Sequence, residues 1–293
     1  IIRRCTLSEC IDRGAAAIGW GEKRDRRTAG AGGVRGVGMV ICMQGSGIPL
    51  VDMGGATIKL NEDGSFNLAV GATDLGTGSD TVLVQIAAET LKIPAEKVEI
   101  ISSDTDLTPY DVGAYASSTT YISGAAVEKC AAKMVAELRS VAAAMLGIEA
   151  EGVEHEPGRF RNPATDEAVS YEEIGYRTLY ATDQRQLQTS ASHTSSVSPP
   201  PFIAQFAEVE VDPDTGIVRV VHLASAVDCG TPINPKLAEG QIEGAVLNGI
   251  SWALTEEYLF SERGRMTNPS FGRYGLYTTA DAPPMTTILV PSH

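Results

Sequence analysis

The run Phe66–Thr81 holds the residues whose types and spacing best suit chemistry. An alternating strand, with Phe66, Leu68 and Val70 on one face, leads into the glycine-pinched turn Gly76–Thr77–Gly78. A helix is expected to open at Ser79, with Val82, Leu83, Ile86, Ala87 and Leu91 on its apolar stripe. Unpaired N–H groups at a helix start, with glycines allowing close backbone approach, suit an anionic ligand. The same turn can equally serve only to connect strand and helix.

A second copy of the plan lies downstream. Residues 206–221 form two alternating runs around Asp212–Pro213–Asp214–Thr215–Gly216, which is hairpin chemistry. The loop 228–235 follows, and then a helix from about Lys236 with Gln241, Ala245, Gly249 and Ala253 on a small-residue stripe. The first unit also has its hairpin, Ala56–Leu60 turning at 61–64 into Phe66–Val70. Two helix starts on one plan could converge on one ligand.

Stepping outward, other segments must position these turns. Gly36–Met43 reads as a buried strand ending in the tip Gln44–Gly45–Ser46–Gly47. Val98–Ser103 reads as a short strand, and a helix is expected over about Gly124–Leu146, with Cys130 and Met134 as core. The intervening loop 111–120 is dense in small and hydroxyl side chains, which also suits helix capping. Ser170 with Glu173 forms a capping box for a helix through Tyr180. The fold class is mixed α/β, built from hairpin–loop–helix units. Residues 1–34 read as the tail of a preceding domain with a basic linker, and 35–293 as one domain.

Composition narrows the function classes. A net charge of −14 argues against a nucleic-acid surface and gives no support for anionic membranes. The uncharged window Gly36–Val51 is short and broken by glycines and Pro49, so no membrane span is expected. The chain begins Ile1–Ile2–Arg3–Arg4–Cys5, without the pattern of a signal peptide. Five cysteines without a CxxC pair favour reduced thiols in a cytoplasmic protein and offer no iron–sulfur motif. The four histidines are scattered, so a side-chain metal site has no support in the sequence. Cys229 has no histidine beside it and reads as a small buried residue.

Six motifs occur in order: Gly76–Thr81, Asp104–Pro109, Ala114–Thr120, Glu208–Asp212 with Thr215–Gly216, Asn234–Pro235, and Gly240–Gly244. In this order they resemble the molybdenum-binding large subunit of the xanthine dehydrogenase / aldehyde oxidase family of molybdenum hydroxylases, in its C-terminal portion. The likeness runs from about Arg35 to Pro284, with a poorly matching insert near 148–190.

The resemblance implies the second molybdenum-binding domain of that fold. It implies a molybdenum–molybdopterin cofactor, as molybdopterin or its cytosine dinucleotide. Gly76, Thr77, Gly78, Tyr115, Ala116, Ser117, Ser118, Thr120 and Gln241 would bind the cofactor, with Ala116 nearest the metal. Ser46 and Gly47 would line the substrate funnel. Thr77 departs from the family's usual glutamine, which puts its side-chain contact in doubt; Gln241 keeps the family's glutamine.

The implied reaction hydroxylates a purine or related N-heterocycle with water as oxygen source. Electrons would leave through iron–sulfur clusters and FAD on partner subunits or domains, in a complex that dimerises. An aldehyde oxidoreductase, an aryl-CoA reductase and a non-catalytic cofactor-binding remnant stay open as alternatives. The family's general base is a glutamate in a Gly-rich motif near the C-terminus. This chain follows the family only through Asp281–Pro284, so no catalytic residue is assigned and the base is expected beyond His293. An upstream molybdenum-binding half is expected as a partner, and the chain alone is expected to be inactive.

Overall fold

The computed structural model describes residues 5–25, 28–30 and 33–292. The chain runs α1 (Leu7–Ile18), α2 (Trp20–Lys23), β1 (Thr28–Gly30), β2 (Gly33–Met43), β3 (Met53–Leu60), β4 (Phe66–Val70), α3 (Ser79–Leu91) and β5 (Val98–Ser102). It continues with α4 (Thr119–Leu146), β6 (Glu154–Glu156), β7 (Arg159–Arg161), β8 (Ala168–Ser170), α5 (Tyr171–Tyr180) and β9 (Gln188–Thr194). The last elements are β10 (Phe202–Val211), β11 (Val218–Asp228), α6 (Pro235–Leu254), α7 (Phe271–Tyr274) and β12 (Met285–Leu289). The chain divides into two compact units, Gly45–Pro199 and the pair Ile1–Gln44 with Pro200–His293.

In the unit 45–199 a four-stranded sheet has the order β5-β4-β3-β9. The β3–β4 hairpin turns at Asn61–Gly64, as the sequence predicts, and α3 opens at Ser79. Strand β9 pairs antiparallel with β3 from Met53↔Thr194 to Lys59↔Gln188. One apolar core joins the sheet to α3, α4 and α5, with Phe66, Leu68, Leu83, Leu91, Met134, Leu138 and Ile174 all fully buried. Cys130 and Met134 sit in this core, as their spacing on α4 indicates. The capping box at Ser170 and Glu173 forms and starts α5. Helix α4 spans 28 residues and begins at Thr119, five residues ahead of the expected start. Thr119–Ser123 carry little apolar signal, but they extend the same backbone ladder.

The other unit has a five-stranded sheet, β1-β2-β10-β11-β12. Strands β10 and β11 form the hairpin around Asp212–Gly216, and β12 adds parallel to β11. Alternation along β10 and β11 divides the apolar residues between two faces. Ala204, Phe206, Ala224 and Ala226 pack with α1, while Ala207, Leu223 and Val220 pack with α6. Helix α1 seats closely because Gly14 faces Phe206, where a Cβ would stand 2.4 Å from ring carbon Cε2. Helix α1, which falls in the segment 1–34 set apart by sequence pattern as a tail, shares the core of this unit through Cys10 and Ile18. Glu208 and Glu210 point inward on β10 and are held by Lys23, Arg35 and Arg219.

Two expectations are corrected here. Strand β2 forms, but Met39, Val40, Ile41 and Met43 are exposed rather than buried, since the helices of this unit pack on β10, β11 and β12. Apolar composition marks β-propensity without fixing which faces are covered. Cys229 is likewise exposed, because it lies past the end of β11 in the loop leading to α6.

Glycines set how closely loop and helix approach the sheet. A Cβ on Gly54 would stand 2.7 Å from the Ser123 Cα, and one on Gly71 would stand 2.2 Å from the Pro109 carbonyl oxygen. Backbone cannot move aside as a flexible side chain can. Gly71→Ala should therefore destabilise the chain by about 1–3 kcal/mol, through overpacking. Chemical denaturation measures this; an unchanged midpoint would show that the 109–111 segment is free to retreat.

Candidate functional site

The site residues predicted from sequence fall on three loops and two helices, with Thr120 on α4 and Gln241 on α6. Loops 45–52, 71–78 and 111–118 and helix α4 belong to the unit 45–199, while Gln241 belongs to α6 in the other unit.

Loop 111–118 is rooted by Asp111. Its Oδ1 accepts the Gly113 N–H at 2.9 Å, and its Oδ2 accepts the Ser123 hydroxyl proton at 2.9 Å. Two consecutive non-glycine residues, Ala116 and Ser117, take left-handed backbone at φ 50° and 54°. Such conformations cost free energy and persist only where the surroundings hold them. Here the Ser118 N–H and hydroxyl both donate to the Tyr115 carbonyl, and the Gly47 N–H donates to the Ala116 carbonyl at 2.8 Å. The last bond joins the predicted substrate turn, Ser46–Gly47, directly to the predicted cofactor loop. Gly47 and Ser118 are buried, Ser46 and Ala116 half-buried, and Tyr115, Ser117 and Thr120 exposed. Sequence reasoning assigned Ser118 to the cofactor; the structure uses its hydroxyl proton to close the loop.

Loop 71–78 starts beside loop 111–118, because Gly71 lies against Asp111. The glycines perform the expected turn, with Gly76 at φ 88° and Gly78 at φ 76°. The amides they were expected to present are engaged internally. Asp74 Oδ1 accepts the N–H groups of Gly76 at 2.8 Å and Gly78 at 3.2 Å, and Oδ2 accepts that of Asp80 at 3.2 Å. Burial opposes ionisation of Asp74, but these backbone donors outweigh it and hold the carboxyl below the usual range. Thr77 is exposed, with its hydroxyl 3.5 Å from Asp74 Oδ1. The aspartate two residues before a glycine was the available signal, since Asp commonly accepts from the backbone two residues on.

The helix starts now differ in what they offer a ligand. Asp74 fills the start of α3, Asn234 caps α6 by accepting the Leu237 N–H, and Ser170 caps α5. Helix α4 has no side-chain cap and no acidic residue in its first turn. Its N-terminal partial positive charge lies directly after Ala116–Ser118. Gln241 is exposed on α6, as are Ala245, Gly249 and Ala253, while Val246 and Ile250 face the core. Gly240, Gly244 and Gly249 have open space where a Cβ would stand.

These residues fit a group held through its organic and anionic parts. The donors are backbone amides and hydroxyls, and the side chains around Ala116 are small. The buried Ser79 Oγ and Asp80 Oδ1 at the head of α3, and the buried Asp52 Oδ1, have no hydrogen-bond partner within the protein. Orphaned polar atoms of this kind normally find partners. Among the described residues no group of three or more His, Cys, Asp or Glu side chains could hold a metal ion. No helix among them is long and apolar enough to cross a membrane.

Comparison with known proteins gives the family and the fold. Residues 13–283 match the molybdopterin cofactor-binding domain family. The chain is 36% identical over 290 residues to the probable hypoxanthine oxidase XdhD of Escherichia coli K12, covering 98% of this chain and 30% of that protein. It is 32% identical over 292 residues to the putative xanthine dehydrogenase molybdenum-binding subunit XdhA of the same organism, covering 97% and 39%. The chain thus spans between 30% and 39% of the length of these relatives. The fold matches that of quinoline 2-oxidoreductase from Pseudomonas putida 86 with a TM-score of 0.87 at 24% identity, covering 99% of this chain and 39% of that one. A match over this much of the chain shows that it belongs to the molybdopterin cofactor-binding domain family, in the xanthine dehydrogenase / aldehyde oxidase group of molybdenum hydroxylases.

Proposed function

We propose that this chain forms the cofactor-gripping part of a cytoplasmic molybdenum hydroxylase that oxidises a purine or related N-heterocycle with water as oxygen source. The single observation that carries the reading is the fastening of the Ser46–Gly47 turn to the left-handed Ala116–Ser117 turn at the uncapped start of α4. The purine preference is supported by the names of XdhD and XdhA. Iron–sulfur and FAD centres on partner subunits, an upstream molybdenum-binding half and a dimeric complex complete the proposal.

When bound, the molybdenum cofactor supplies a two-electron oxidant and activates water as the nucleophile. The contribution of this chain is to bind, orient and leave room. Ala116 keeps the space before the loop open, because its side chain ends at Cβ. The backbone amides and hydroxyls of Ser117 and Thr120 offer donors at the positive end of α4, where anionic groups are favoured. The turn 76–78, with Thr77 at its tip, approaches with its shape already set by Asp74. Gln241 offers an amide from α6 to the polar pterin. Ser46 and Gly47 border the substrate.

Four outcomes test this. In the complete complex, hypoxanthine or xanthine should be oxidised with kcat/KM at least about tenfold above that for an aromatic aldehyde. The reverse order would assign the chain to an aldehyde oxidoreductase. Ala116→Phe should remove molybdenum from the folded complex while Ala116→Gly retains it, because a ring would fill the ligand's space. Full metal content in the phenylalanine variant would take Ala116 out of the site. Gln241→Ala should lower cofactor content or turnover, with about 1–3 kcal/mol at stake if a buried partner is left unpaired; unchanged content and kinetics would place Gln241 in solvent.

Asp74→Ala should speed hydrogen exchange at the Gly76, Gly78 and Asp80 amides, whereas Asp74→Asn, with one acceptor oxygen left, should preserve protection at Gly76 and Gly78 and lose it at Asp80. Because the folded carboxyl titrates below the unfolded one, the clamp is complete above the usual carboxylate range. It is lost as pH falls through the folded pKa. Exchange that stays slow in Asp74→Ala would show that the turn holds itself without this carboxylate.

A further inference from the structure

Asp52 is fully buried, and sequence reasoning passed over it. It ends the turn that follows the Ser46–Gly47 tip. Its Oδ2 accepts the Ile48 N–H at 2.8 Å, while its Oδ1 has no hydrogen-bond partner. A carboxyl group withdrawn from water in this way is costly unless its surroundings repay it. No Lys, Arg or His ion pair reaches it among the described residues.

Its neighbours are the residues of the proposed site. A Cβ on Gly47 would stand 3.2 Å from Asp52 Oδ2, 3.4 Å from Ile122 Cγ1 and 3.6 Å from Ser118 Cβ. Gly47 is therefore pressed between the carboxyl group and the start of α4, and its N–H reaches the Ala116 carbonyl. The same carboxylate lies near enough to the Tyr115 hydroxyl to push its pKa up, without a formed hydrogen bond between them. The rest of the turn is held elsewhere. Leu50 donates to the Ser195 carbonyl at 2.8 Å, and Val51 and Asp52 both donate to the Ile48 carbonyl at 3.1 Å. Leu50 itself takes left-handed backbone at φ 61°. A strained turn and an expensive carboxyl group thus meet where the two predicted walls touch.

We infer that Asp52 is a positioning residue: it locks the Ser46–Gly47 turn onto the 115–118 loop, so that the substrate-side wall and the cofactor-side wall move as one body. The inference rests on the proposed reading of these two segments. Asp52 touches neither substrate nor cofactor in this role. It acts through Ile48, Gly47 and Tyr115.

Asp52→Asn is the direct test, because it keeps the shape and one acceptor oxygen for Ile48 while replacing the other oxygen with a donor. In the 293-residue chain the Tyr115 hydroxyl is read as the difference in phenolate absorbance between wild type and Tyr115→Phe. The same difference is taken in the Asp52→Asn background. Expected is a Tyr115 titration that shifts down toward that of an ordinary tyrosine. This arm needs no cofactor, so its outcome is separate from whether the complex oxidises purines.

In the complete complex, Asp52→Asn should keep wild-type molybdopterin content while the KM for the best heterocycle rises about tenfold, more than kcat falls, as small misplacement of a binding wall allows. Asp52→Ala, lacking the acceptor for Ile48, should show the same split more strongly. An unshifted Tyr115 titration would overturn the inference. So would an unchanged KM, or parallel losses of stability, cofactor and activity, which mark a merely structural aspartate.

Discussion

Everything at the candidate site depends on how closely the 109–118 segment and the head of α4 can approach β3 and β4. Gly54, Gly55 and Gly71 permit that approach; a Cβ at any of them would lie within 2.7 Å of Ser123, Pro109 or the Pro109 carbonyl. With backbone against backbone, Asp111 can tie the loop to α4, and the 71–78 loop starts beside it. The left-handed Ala116–Ser117 turn is then held from below, and its carbonyl is positioned for Gly47. Such a loop is held in one shape by its own hydrogen bonds, so little reorganisation is needed when a ligand arrives.

Carboxylates act inside this site as struts. Asp74 shapes the 76–78 turn, Asp111 roots the 111–118 loop, and Asp52 fastens the 46–52 turn. Each accepts at least one backbone N–H group of its own loop. The consequence for function is a division of labour between helix starts. The negative charge of Asp74 fills the start of α3, while α4 has no side-chain cap and no acidic residue in its own first turn, with Asp52 and Asp111 standing beside it. In the proposed site, loop 71–78 offers shape and the Thr77 hydroxyl, and loop 111–118 offers the small side chains of Ala116 and Ser117 ahead of α4.

Much of this was legible from local chemistry. Turn residues at 61–64 and 212–216 located both hairpins, helix starts were expected at Ser79 and near Lys236 and fall at Ser79 and Pro235, and Ser170 with Glu173 located a third. The motif order was enough to suggest the family. What escaped depended on partners distant in sequence. Strand β9, Gln188–Thr194, is mostly polar and gains its identity from pairing with β3. Strand β12 is a five-residue parallel addition to β11, and α1 is drawn into a core by Phe206 through Gly14. The exposure of β2 was misread because an apolar run carries no record of which face is covered. Asp52 escaped because a buried aspartate looks in sequence like any other loop aspartate, and Asp74 because its spacing ahead of Gly76 was not read as a turn clamp.

The central claim is that the Ala116–Ser118 turn is the wall of this chain that meets the molybdenum cofactor. Anomalous scattering at the molybdenum absorption edge, collected from crystals of the complete complex, locates the metal without reference to activity. The account predicts a single strong peak in the space before Ala116, in van der Waals reach of the 115–118 backbone. A peak remote from that turn, with the loop in the conformation described above, would contradict it.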